Sequence, residues 1–187
     1  MAMAFRFAGI PSAGHRDDGR SLILRWPLAK STQELHAVEA WYRLTSKTLG
    51  KWGMPPARQH APEDLGLRLT AEHKDTAAKL MHESGIQSGN FVLIAPTAVG
   101  LHHGKVKIWP GFDELTRRLQ AHGHTVVMCP PPDEVQQALE NAPTARHLPP
   151  VGLGAFATLT RHASLVICND SGVSHIAAAA GARQLTL

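Results

Sequence analysis

From Phe91 onward, short apolar runs alternate with longer segments whose apolar residues recur at helical spacing, a pattern that few folds accept. Phe91-Val92-Leu93-Ile94-Ala95-Pro96 is apolar without a break, as a strand buried on both faces of a parallel sheet requires. The alternation predicts strands over 91–96, 124–129 and 165–169 and the start of another at 184–187. Helices are predicted between them, over about 110–121, 133–141, 154–163 and 172–180. Strands separated by helices are joined by right-handed crossovers, so the fold class is α/β with a Rossmann-like parallel sheet.

The first part of the chain is less regular. Gly9, Pro11, Gly14, Gly19 and Pro27 surround the apolar run Ser21-Leu22-Ile23-Leu24, which predicts irregular structure with one strand. Ser31 to Glu34 fits a capping box, and Leu35, Val38, Tyr42 and Leu49 recur at near-helical spacing up to Gly50. Trp41 and Tyr42 read as packing residues on that helix. Pro55-Pro56 and the polar stretch to Glu63 read as a connector, followed by a helix from Thr70 or Ala71 to Ser84 with Gly85 as its stop.

Composition closes off several classes. With 43% hydrophobic and 18% charged residues the chain lies outside the disordered regime, and no apolar run approaches the ~18 residues of a membrane span. A net charge of +4 suits phosphorylated substrates or an anionic membrane face as well as an ordinary solvated surface. There is one Tyr and no basic cluster interleaved with aromatics, which argues against nucleic acid. Cys129 and Cys168, the two cysteines, read as buried free thiols of a reducing cytoplasm. His102-His103 has no third ligand near in sequence and reads as a solvated loop; Asp17-Asp18 is not an Asp-x-Asp pair, so no bound metal is expected. No Gly-x-Gly-x-x-Gly follows any predicted strand, which removes a dinucleotide-dependent oxidoreductase.

The chemistry concentrates in Cys168-Asn169-Asp170-Ser171-Gly172-Val173-Ser174-His175, read as a strand end, a tight turn and a helix start. A helix start leaves its first N–H groups without intrahelical partners and carries roughly half a positive charge, so it suits an anion. Gly172 permits close approach, Ser171 and Ser174 offer hydroxyls, and His175 falls in the first turn. Asp-Ser-Gly before an apolar helix is equally an ordinary N-cap. A second segment separates the two readings: the loop after Phe91–Pro96, with Thr97 and then Lys107-Ile108-Trp109-Pro110 opening the next helix. In a doubly wound sheet ligands sit beyond the carboxyl ends of the strands, so both loops belong on one edge, where Lys107 and Thr97 face the anion. Trp109 reads as a packing anchor for its loop. Asp170, awkward beside a diphosphate, is assigned either to capping the helix or to accepting a ribose or sugar hydroxyl.

Lys107-Ile108-Trp109-Pro110 with Phe112 and Leu115, then Asn169-Asp170-Ser171-Gly172 with His175 and the Ala-rich helix, resemble the nucleotide-sugar half of glycosyltransferase family 9, whose best-known members are the lipopolysaccharide heptosyltransferases. Residues 91 to 187 carry the likeness, and Gly19-Arg20-Ser21-Leu22 and His36 to Trp41 carry it more loosely; where the family usually has Thr, Ser171 keeps the hydroxyl, while Ala98 stands where a second hydroxyl occurs. The resemblance implies a two-domain GT-B protein, of which this chain is a fragment. On that view 1–30 is a remnant of the acceptor-side N-terminal domain, 31–88 holds interdomain helices and a connector, and 89–187 is the donor-binding domain, incomplete at its C-terminus. Exposed sheet edges then predict poor solubility of the chain alone.

Lys107, Ser171, Gly172 and His175 are implied to hold the donor diphosphate, with Thr97, Asp170 and Ser174 near it. The implied reaction is inverting and metal-independent transfer of heptose from an ADP-sugar to the lipopolysaccharide inner core, with no cofactor and with the catalytic base in the N-terminal domain. The implied place is the cytoplasm, with peripheral contact at the inner face of the cytoplasmic membrane. A nucleotide- or phosphate-binding half-domain without catalysis of its own is the competing reading; a GT-B sugar epimerase is not supported by Lys107 to Pro110.

Overall fold

The computed structural model describes residues 2–99, 101–102 and 105–187, and the side chains of 101, 102, 105 and 106 are outside that description, as is the histidine pair His102-His103. The chain divides into two compact units, Met1–Glu63 and Asp64–Leu187.

The first unit contains α1 (Ala2–Phe7), β1 (Ala13–His15), β2 (Trp26–Leu28) and α2 (Ala37–Lys51), with β1 and β2 parallel. Its small core includes Leu24 and Leu28, and Trp26 meets Trp52 edge-to-face at 5.4 Å. The strand expected at Ser21–Leu24 is absent: Arg20–Leu22 is a 3-10 turn and the strands flank it. Asp18 and Gly19 both adopt positive φ, and Arg20 bonds back to the Asp18 carboxylate at 2.7 Å, so turn chemistry overrides the apolar run. Leu22 is accordingly left 85% exposed. The capping box expected at Ser31–Glu34 is also absent, because Ser31 Oγ accepts from Gln33 N in a local turn and α2 starts six residues later than that serine, capped by His36.

Glu39 ties α2 to the segment that follows it. Its carboxylate accepts from Ala61 N at 2.9 Å and Arg43 Nε at 2.6 Å, and lies 3.0 Å from His60 Nδ1. The Ala61 amide first, then Arg43, hold its pKa down at about 2. A carboxyl with a depressed folded pKa contributes stability above its unfolded value, and loses it as pH falls. The stability gap between wild type and Glu39→Gln, measured by the tryptophan fluorescence of urea titrations, is therefore expected to be present at pH 6 and to close between pH ~4.5 and ~2. A gap that persists unchanged at pH 2.5 contradicts this.

The second unit contains α3 (Ala71–Glu83), β3 (Phe91–Ala95), the short antiparallel pair β4 (Leu101–His102) and β5 (Lys105–Val106), α4 (Phe112–Ala121), β6 (Thr125–Met128), α5 (Val135–Asn141), β7 (Arg146–His147), α6 (Leu153–His162), β8 (Leu165–Cys168), α7 (Gly172–Ala179) and β9 (Gln184–Thr186). The expected alternation is present, with β7 added; two residues leave too little pattern for a sequence to reveal. Thr70 caps α3 in a reciprocal capping box with His73, and Gly85 ends it at φ 59°.

Five strands form one parallel sheet in the order β7-β6-β3-β8-β9. Side chains alternate across it, so Phe91 and Leu93 enter one core with Leu80, Met81, Leu159 and Val166, while Val92 and Ile94 enter the other with Phe112, Val126 and Ile167. Burial on both faces explains the unbroken apolar run of β3. The chain moves outward from β3 through β6 to β7, then returns to the other side of β3 at β8. The strand order reverses between β3 and β8, so a crevice opens beyond their carboxyl ends. No helix among the described residues is long and apolar enough to cross a membrane.

Candidate functional site at the carboxyl ends of β3 and β8

Thr97 follows β3 and Asn169-Asp170-Ser171-Gly172 follow β8, so the topology alone places both segments at the switch point. A cavity of about 750 Å³ opens there, lined by Thr97, Lys107, Asp170, Ser171, Gly172 and His175. Its volume lies within the range of sites for small molecules and cofactors. Cys129, Pro130, Val151 and Phe156 form a more apolar wall, and Glu134 joins the lining from the turn after β6.

Ser171 caps α7: its Oγ accepts from Val173 N at 3.4 Å. Of the two roles assigned to Asp170, capping the helix therefore falls away. The Gly172 amide, which a helix start leaves without an intrahelical partner, is the donor available at this end. The structure does not bring Ser174 to the cavity, because it is buried and donates its hydroxyl to the Ser171 carbonyl at 2.7 Å. The i to i+3 spacing returns the residue to the turn rather than to a ligand. Thr97 is also buried, and its hydroxyl is engaged with the Glu134 carboxylate. Neither Glu134 nor its contact with Thr97 is visible in the sequence, since β4, β5, α4 and β6 lie between the two.

Lys107 Nζ lies 3.4 Å from a carboxylate oxygen of Asp170 and the same distance from its carbonyl. A partly exposed ion pair at that separation is worth about 0–1 kcal/mol, so an incoming anion displaces the amine at little cost. The pairing also offsets the negative charge of Asp170 where a diphosphate would be repelled.

Asn169 is fully buried at the junction. Its Oδ1 accepts from Trp109 N at 2.9 Å, and its Nδ2 donates to the Thr97 and Ala95 carbonyls at 3.2 and 3.4 Å. Trp109 rests edge-to-face on Phe112 at 5.5 Å, the anchoring role expected of it, and a Cβ at Gly111 would collide with the indole. The sequence pattern ends the strand at Asn169; in the structure this residue stands one position beyond β8 and acts as a bridge.

Cys129 is a poor nucleophile. Burial pushes its thiol up to about 11, and Sγ donates to the Pro149 carbonyl at 3.3 Å. Burial raises Cys168 as well, and both cysteines are free. The site is thus a cation, a helix start and an imidazole facing a partly apolar cleft, suited to a phosphorylated ligand carrying a planar or aliphatic group.

The model of glycosyltransferase family 9 (heptosyltransferase) matches residues 2–187. Among solved structures, a glycosyl transferase family 9 protein from Veillonella parvula DSM 2008 superposes with a TM-score of 0.68 at 15% identity, over 94% of this chain and 50% of that one. E. coli heptosyltransferase WaaC with ADP superposes at 0.64 and 22% identity, over 95% of this chain and 54% of that one. E. coli ADP-heptose lps heptosyltransferase II superposes at 0.61 and 24% identity, over 99% and 58%. At these identities the likeness is one of fold, and the chain spans about half the length of the structures it matches. No curated protein matches the sequence.

Proposed function

The chain belongs to glycosyltransferase family 9, and from that premise we propose that it forms the donor-binding part of a heptosyltransferase that takes an ADP-activated heptose. The acceptor in this reading is the lipopolysaccharide inner core, reached at the inner face of the cytoplasmic membrane, and the transfer is inverting and independent of metal. One observation carries it: Lys107, the Ser171-Gly172 helix start and His175, far apart in sequence, line a single cavity. Support comes also from the ADP and the ADP-2-deoxy-2-fluoro heptose held by the E. coli WaaC structures.

In the proposed mechanism the sugar leaves a nucleoside diphosphate on which negative charge builds. Lys107 exchanges its loose contact with Asp170 for the diphosphate, and the Gly172 amide and His175 supply further donors. Pro130, Val151 and Phe156 provide an apolar wall for the base, and Glu134 a carboxylate for ribose hydroxyls. A second reading is nucleotide binding without transfer by this chain, since every cavity residue given a role here serves the donor and none the acceptor.

Calorimetric titration of the purified chain with ADP tests the assignment. Lys107→Ala and His175→Ala are each expected to weaken binding about tenfold, the equivalent of one charge-assisted hydrogen bond. Unchanged affinity in both variants rejects it. Transfer of heptose in the presence of acceptor favours the enzyme reading; ADP binding with no turnover favours the second.

A further inference from the structure

We infer that Asn169 is the positioning residue of the donor site: its carboxamide sets the distance between the Lys107 loop and the Asp-Ser-Gly turn, and so the affinity for nucleoside diphosphate. The inference rests on the donor-site reading of this cavity. Its basis is a matching of groups. Trp109 N–H demands an acceptor, whereas the carbonyls of Ala95 and Thr97 demand donors, and all three converge on one fully buried side chain. Only an un-ionised carboxamide meets both demands at once. Through it three segments are fastened together: the end of β3, the turn after β8, and the loop that carries Lys107 two residues before Trp109. Asn169 touches no ligand in this scheme; it acts through Lys107.

Asn169→Asp isolates the effect, because shape is kept while the donor end becomes an oxygen facing two carbonyls. That repulsion frees the loop when the carboxyl is ionised. A protonated carboxyl regains one donor, and burial raises the pKa of such a group, so the defect should fade as pH falls. The other titratable groups of the elements meeting there are Lys107, Asp170, His175, Glu134 and Cys168, and wild type over the same pH range controls for them.

Two measurements on the full chain are combined. With 5-fluorotryptophan labelling, the Trp109 resonance, assigned with Trp109→Phe, should titrate in Asn169→Asp and stay still in wild type. ADP affinity should fall about tenfold or more in Asn169→Asp at pH 8, recover toward acid pH, and lose less from Lys107→Ala in that background than in wild type. A residue that merely stabilises the fold lowers the melting temperature but leaves the losses additive. An unmoved Trp109 resonance overturns the inference whatever ADP does, and so do additive losses or unchanged affinity in Asn169→Asp. If wild type fails to bind ADP while the Trp109 resonance of Asn169→Asp titrates, the donor-site reading falls and the bracing role of Asn169 is upheld. Should Asn169→Asp fold only at acid pH, Asn169→Ser, which keeps one hydroxyl donor and acceptor, should show the intermediate affinity loss and the same coupling to Lys107.

Discussion

Phe112→Ala is expected to lower the unfolding free energy of the second unit by about 3–5 kcal/mol, the cost of an aromatic side chain removed from a close-packed core. Phe112 is fully buried among Val92, Ile94, Val126 and Ile167, and it also carries Trp109 on its ring. The aromatic pair adds about 0.5–1.5 kcal/mol beyond burial. Two effects should therefore appear together. Urea unfolding should shift to a lower midpoint with little change in slope, and the folded variant should bind ADP more weakly because the loop that bears Lys107 has lost its footing. A loss below about 1 kcal/mol would mean that the site side of the sheet repacks freely, contrary to the interior density expected of it.

Lys107→Glu should have the largest effect on binding, at least about a hundredfold, or about 2.7 kcal/mol. The substitution exchanges a cation for an anion beside Asp170 and so leaves two carboxylates facing the ligand. At an effective dielectric near 20, charges about 4 Å apart interact by about 4 kcal/mol, and partial exposure of the lysine reduces that figure. Stability should change by less than about 1 kcal/mol, since the ion pair that is lost is loose and half in solvent. Screening supplies an internal check: wild-type affinity should fall as salt rises, and the gap between wild type and Lys107→Glu should narrow. ADP binding equal to wild type, in a variant that melts normally, would remove Lys107 from the site.

Where periodicity is strong, the fold is legible in the residues. Phe91 to Pro96 can be little other than a central strand, and Thr70 and Gly85 mark the ends of α3 by their own chemistry. Where a few polar groups compete with an apolar run, periodicity misleads. Ser21 to Leu24 reads as a strand, but Asp18, Gly19 and Arg20 close a turn that leaves Leu22 in solvent. Ser31 likewise spends its hydroxyl on a local turn instead of a helix cap. The site divides along the same line. The Asp-Ser-Gly turn and Lys107 are visible as motifs, whereas Glu134 and the three-way bond of Asn169 join residues distant in sequence.

The order of residues by itself determined an α/β chain with a buried parallel sheet, because side-chain period and turn chemistry are local properties that each short segment carries with it. Only the tertiary structure decided that β8 returns beside β3, that Lys107 meets Asp170 across the resulting crevice, and that Ser174 faces away from it. Strand order is set by the joint packing of helices on two faces of the sheet, a sum over many weak apolar contacts, and no single segment encodes it.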